Sequence, residues 1–174
     1  MAPQEQTEIV DNLERSREEF LAAVAGLTES QAAARPDPER WSVLDCVEHV
    51  TFVEERFYGW LEKAKKLDTP QMNKDNEARL MTAVPDRSTR AKSPDAALPT
   101  GRYPTLEQAI QQFNSNRARS IRFAQDHCAE LYSMASEHPR FGPVNGVELL
   151  IIMAGHARRH AEQIRETRAA MEKH

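Results

Sequence analysis

His156 and His160 stand four residues apart in Gly155-His156-Ala157-Arg158-Arg159-His160. On a helix that spacing places the two side chains one turn apart on one face, so both imidazoles can reach a single ion. Leu149, Met153, Gln163 and Thr167 fall on roughly the same face. An aliphatic approach therefore surrounds the pair. Imidazoles in such surroundings are costly unless their nitrogens are satisfied, and a divalent metal satisfies them. A third histidine, His49, falls at the edge of another apolar stripe, beside Cys46, Val53 and Trp60. Three neutral imidazoles plus water make an open site of the catalytic kind. Such a site can lower the pKa of a bound water or a bound thiol. The plainer alternative is a polar helix face at His156 and His160, with His49 a satisfied residue at the core edge.

Two familiar metal patterns are excluded. The zincin motif needs Glu directly after its first His as general base, and Ala157 occupies that place. Carboxylate di-iron bundles need Glu-x-x-His pairs, and the chain has none. Neighbouring polar residues have open roles. Asp45, one turn before His49, could accept its free N–H or serve as a helix cap. Gln163, one turn after His160, could bind a water or substrate, or face solvent. Arg117 interrupts an apolar stripe, as a snorkelling residue with its head in water or as a cation for an anionic ligand. Arg159 is a second candidate for that cationic role, on charge alone. Cys46 could line the site or be a buried structural thiol. His127, His138 and His174 have loop or terminal settings and read as surface residues.

Four long periodic segments must position these groups. Residues 4–27 carry Ile9, Leu13, Phe20, Val24 and Leu27 at helical spacing. Residues 42–66 open on Ser42 as N-cap, with Asp45 three residues on and Trp41 as the staple residue. Residues 105–134 open on Thr105 with Gln108 downstream. Residues 145–172 begin apolar on nearly every side, which means burial on nearly every side, and turn charged later. Between the second and third helices, 67–104 is rich in proline and reads as a long crossover, with a short helix over 75–84. The expected fold is all-α: one domain over 1–174, a four-helix bundle with a long crossover between helices 2 and 3.

Composition narrows the function classes. A chain of 174 residues, 40% hydrophobic and 29% charged, can bury a sizeable core. Its net charge of −4 gives no electrostatic reason to bind nucleic acid. Glu162, Glu166 and Glu172 interleave with the arginines of the last helix, as on a solvated face. No apolar run is long enough to span a bilayer, and the N-terminus lacks the pattern of a signal peptide. Cys46 and Cys128 lie far apart without CxxC partners, which suits reduced thiols. A cytoplasmic location is expected, with no nucleic-acid or membrane partner.

Several segments in order carry a family likeness. They are Trp41-Ser42-Val43 leading to His49, Ser93-Pro94-Asp95 with Leu98-Pro99-Thr100-Gly101, His138-Pro139-Arg140-Phe141-Gly142, and His156-Ala157-Arg158-Arg159-His160-Ala161-Glu162-Gln163-Ile164. Together they resemble the DinB/YfiT-like superfamily over nearly the whole chain. The resemblance implies a four-helix bundle with His49, His156 and His160 as ligands of a divalent metal, zinc or nickel foremost, and often a homodimer. It also implies, for some members, a thiol S-transferase activity with a low-molecular-weight thiol. The leading expectation is a metal-dependent thiol S-transferase acting on electrophilic small molecules. The alternatives are a non-catalytic metal- or ligand-binding stress-response bundle and a metal-water hydrolase of a small substrate.

Overall fold

The structure is a computed structural model describing residues 3–88 and 93–172. Residues 89–92 of the crossover lie outside the described residues, as do both extreme ends, including His174. Four long helices form the bundle: α1 (Pro3–Val24), α3 (Val43–Glu62), α5 (Leu106–Asp126) and α6 (Gly146–Met171). Two short ones, α2 (Glu29–Ala33) and α4 (Lys74–Ala83), pack around them. Helix α6 touches α1, α3 and α4, while α5 touches α1 and α3.

Local chemistry sets the helix starts. Ser42 Oγ accepts from the Asp45 amide, and the Asp45 carboxylate accepts from the Ser42 amide. Asn145 and Glu148 make the same reciprocal box at α6, and Thr28 and Gln31 make it at α2. Thr105 caps α5, and the Glu29 carboxylate also accepts from the amides of Leu106 and Glu107. A carboxylate there complements the positive end of the helix dipole. Every residue of α6 from Gly146 to Gly155 is buried. That explains why the first half of this helix is apolar on nearly every side, the capping Glu148 excepted.

Three helical segments stop earlier than their periodicity suggests, α1 among them, at Val24 rather than Leu27. Helix α3 ends at Glu62, and Lys65–Lys66 forms β1. Helix α5 ends at Asp126, short of Cys128 and Leu131. A 3₁₀ turn (Leu131–Ser133) then leads into β2 (Met134–His138) and β3 (Gly142–Asn145). The three strands form a small antiparallel sheet in the order β1-β2-β3, with His138 opposite Gly142. Gly142 has φ of +73°, a left-handed conformation that closes the hairpin and that glycine adopts without penalty. The hairpin touches α3 and α6, and so brings His138 to the bundle.

Arg117 departs from both of its sequence readings. Its side chain is fully buried, with no head in water and no place in the ligand cavity. Nε and Nη2 donate to the Glu54 carboxylate at 2.5 and 2.9 Å. Nη1 donates to the Leu13 carbonyl and the Ser16 hydroxyl. The guanidinium thus joins α1, α3 and α5 from inside. Its position in the apolar stripe is explained by a buried carboxylate on the neighbouring helix.

Gly155 shows how tightly the crossover sits. A Cβ there would lie 2.8 Å from Val84 Cβ and 2.9 Å from its Cγ1. Gly155→Ala is therefore expected to lower stability by about 1–3 kcal/mol, although alanine favours a helix by about 1 kcal/mol over glycine. Urea denaturation checks this, and a neutral or stabilising result would contradict the close approach of Val84.

Candidate metal centre

Helices α3 and α6 carry the three histidines to one point. One possible ligand atom from each of His49, His156 and His160 lies within 4.8 Å of the others. His49 and His160 are buried, and His156 is partly exposed toward the cavity. His49 Nδ1 lies 2.7 Å from the Ala97 carbonyl. A carbonyl can only accept, so Nδ1 carries the proton and Nε2 keeps its lone pair. That Nε2 lies 3.1 Å from His156 Nε2. Two nitrogens about 2.0–2.1 Å from a shared zinc can stand this far apart.

The donor set fits a divalent ion. Burial lowers the pKa of all three imidazoles, with repulsion from their partners or nearby arginines adding to it. The rings are therefore neutral, as ligands must be. His160 Nδ1 is buried without a hydrogen-bond partner. Such an orphan costs about 1–3 kcal/mol, so the ring calls for a further partner. Trp41 stacks on His160 at 6.3 Å and tilts against His49 at 5.0 Å, so the staple residue also walls the cluster.

A second layer fixes His49, and it differs from the sequence reading. Asp45 does not reach His49. Its carboxylate caps α3 and pairs with Arg35 at 2.9 Å. The Ala97 carbonyl, in the 3₁₀ turn Asp95–Ala97, takes the role instead. Glu48 in turn anchors the segment after that turn. Its buried carboxylate accepts from the amides of Thr100, Gly101 and Arg102 and from the Arg102 side chain. Gly101 has φ of +78°, which lets successive amides converge on one carboxylate. Sequence reasoning missed Glu48. Its signal was an acidic residue among the buried positions of α3.

The histidines open onto a cavity of about 1230 Å³. Arg159 and Gln163 both line it, as does Arg87. Arg159 donates to the Asp86 carbonyl. Gln163 accepts from Arg87, which also grips Glu166 through two nitrogens. Cys46 does not line the cavity. It is fully buried, and burial pushes its thiol pKa up to about 12, so it is no nucleophile. His127 stands half-exposed beside Phe123, outside the cluster.

His138 also departs from its sequence reading as a surface residue. It is only 8% exposed and lines the cavity beside Phe57, Trp60 and Phe141. A loop-flanking histidine looks superficial in sequence, but the β2–β3 hairpin folds it inward. Burial, and then the Arg140 charge, lower its pKa from 6.5 to about 4. The unfolded chain therefore takes up this proton first. Its contribution to stability is whole above about pH 6.5 and declines as pH falls toward about 4. The stability advantage of wild type over His138→Phe should shrink across that window in denaturation curves. A pH-independent difference would contradict the neutral, buried ring.

A helical bundle whose second and last long helices offer three histidines to one cavity is the class this geometry defines. The chain belongs to the DinB superfamily, whose family model matches residues 12–164. Among solved structures it is similar to YfiT from Bacillus subtilis, described as a probable metal-dependent hydrolase with an unusual four-helix bundle topology. That match has a TM-score of 0.63 and 13% identity, covering 99% of this chain and 90% of the other. It is also similar to TT2238, a four-helix bundle protein, with a TM-score of 0.53 and 21% identity over 92% and 98% of the two chains. At these identities the likeness speaks for the fold. A search of curated proteins finds no match. Among the described residues, no helix is long and apolar enough to cross a membrane.

Proposed function

We propose that this chain is a divalent-metal-dependent enzyme, and that its reaction is transfer of a low-molecular-weight thiol to an electrophilic small molecule. The observation that carries the reading is the convergence of His49, His156 and His160 at the wall of a large cavity. Zinc or nickel suits three imidazoles. When bound, such an ion lowers the pKa of a thiol or a water at its open position.

The cavity favours thiol transfer over hydrolysis in two ways. Single-ligand pockets are typically about 300–1,000 Å³, and this one exceeds that range at about 1230 Å³. It has room for a thiol and an acceptor together. Hydrolysis also benefits from a general base. Among the described residues, only Glu39 and Glu166 supply carboxylates to the lining, and Arg87 holds Glu166. A thiol sulfur needs no further base once its proton has gone to solvent. It forms the new bond to carbon while the leaving group departs with the bonding pair. The description of YfiT supports the second reading, a metal-water hydrolase.

The test is turnover by zinc- or nickel-loaded protein with a halonitrobenzene and a panel of low-molecular-weight thiols, beside a screen of small esters and amides. Thiol-dependent release of halide supports transfer. Ester or amide cleavage without thiol supports hydrolysis. Metal binding without any turnover leaves a binding bundle.

A further inference from the structure

The part of the cavity around His138 has features that metal binding does not use. Phe57 touches both His156 and His138, with ring centroids 6.1 and 5.6 Å away. Around His138, Phe57, Trp60 and Phe141 make an aromatic slot, with centroids 4.9–5.7 Å from its ring. His138 Nδ1 accepts from the amides of Arg140 and Phe141 at 3.1 and 3.3 Å. An accepting nitrogen carries no proton, so the neutral ring bears its hydrogen on Nε2. No described protein group accepts that hydrogen, and the ring is 92% buried while lining the cavity. A donor with no protein acceptor, on a residue that lines a cavity, is available to a ligand.

Two guanidinium groups border the same slot. Arg56 lies over Trp60 at 5.7 Å, and Arg140 lies over Phe141 at 5.4 Å. Neither forms an ion pair among the described residues, and both line the cavity. The charge around the slot is therefore positive and available. Aromatic walls favour a ring, while two arginines and a fixed N–H favour an acceptor with negative charge.

We propose that this slot binds a small carboxylic acid carrying an aromatic ring. The ring packs on Phe57, Trp60 and Phe141, and the carboxylate accepts from His138 Nε2–H and the rim arginines. This names a substrate class for the site proposed above. It rests on that reading for its catalytic meaning, whereas the binding itself needs no metal.

Trp41 and Trp60 are the chain's two tryptophans, and both line the cavity. Their fluorescence therefore reports its occupancy. The probes are phenylacetate and the uncharged 2-phenylethanol, titrated into full-length protein stripped with EDTA. Phenylacetate should give a saturable change, with the alcohol about tenfold weaker and the acid's affinity falling as salt rises. Arg56 and Arg140 are exposed, so Arg56→Gln with Arg140→Gln should leave the fold intact. That double variant should weaken phenylacetate about tenfold and leave the alcohol unchanged. His138→Phe keeps a ring in the slot and should weaken the acid about fivefold.

No saturable binding, equal affinity for acid and alcohol, or an unaffected double variant would each overturn the proposal. Binding that returns only with zinc and ignores the arginines would place the carboxylate on the ion, which also overturns it while sparing the metal reading. Arginine-dependent binding in a protein that holds no metal would have the opposite meaning.

Discussion

Glu54→Ala is expected to lower the unfolding free energy by about 3–5 kcal/mol, because it strands a buried charge. Arg117 is fully buried, and Glu54 is 2% exposed. The pair is bidentate, and the remaining guanidinium donor is bound to α1 through Leu13 and Ser16. Without the carboxylate, the guanidinium keeps its charge, since arginine does not deprotonate in proteins. Typical domains are stable by about 5–15 kcal/mol, so the loss is a large share of the total. Urea denaturation measures it. A change below about 1 kcal/mol would show that the guanidinium finds water or another acceptor. The double variant Glu54→Leu with Arg117→Met should recover much of the loss, because apolar replacement removes both charges together.

The same pair shows what was legible in the sequence and what was not. Periodicity announced four long helices, and the all-round apolar start of α6 announced its central place. The i,i+4 histidines and His49 were visible as candidates, and the structure brings them together. What a single segment could not reveal was partnership across segments. Arg117 looked like a residue with its head in water because Glu54 lies 63 residues away on another helix. Asp45 stands one helical turn before His49, yet its capping bonds hold it, and a carbonyl 48 residues on accepts the imidazole N–H instead. His138 gave no helical signal, because its burial comes from a short hairpin whose first strand partner is only Lys65–Lys66. Two polar residues show no alternation to read. Glu48 is subtler. A carboxylate on a core-facing stretch is informative only when the amides that satisfy it are known.

His156→Ala is expected to abolish stoichiometric metal binding and, with it, metal-dependent stabilisation. All three histidines line the cavity, and His156 is the most exposed of them. Its Nε2 lies 3.1 Å from the lone pair that Ala97 leaves on His49. Removing it leaves two imidazoles, and two neutral ligands hold a divalent ion far less well than three. Wild-type protein with zinc at about one hundred times its dissociation constant should gain about 2.7 kcal/mol of stability. The variant should gain close to none. Metal-free variant and metal-free wild type should differ much less, because this ring is partly exposed and its aromatic contacts are the other histidines and Phe57. His127→Ala removes a histidine outside the cluster and should keep full metal content. Elemental analysis of untagged, dialysed protein reads the stoichiometry, and melting curves with and without zinc or nickel read the stabilisation. If His156→Ala holds as much metal as wild type, the ion sits elsewhere, and the three-histidine cluster loses its claim to be the centre of the site.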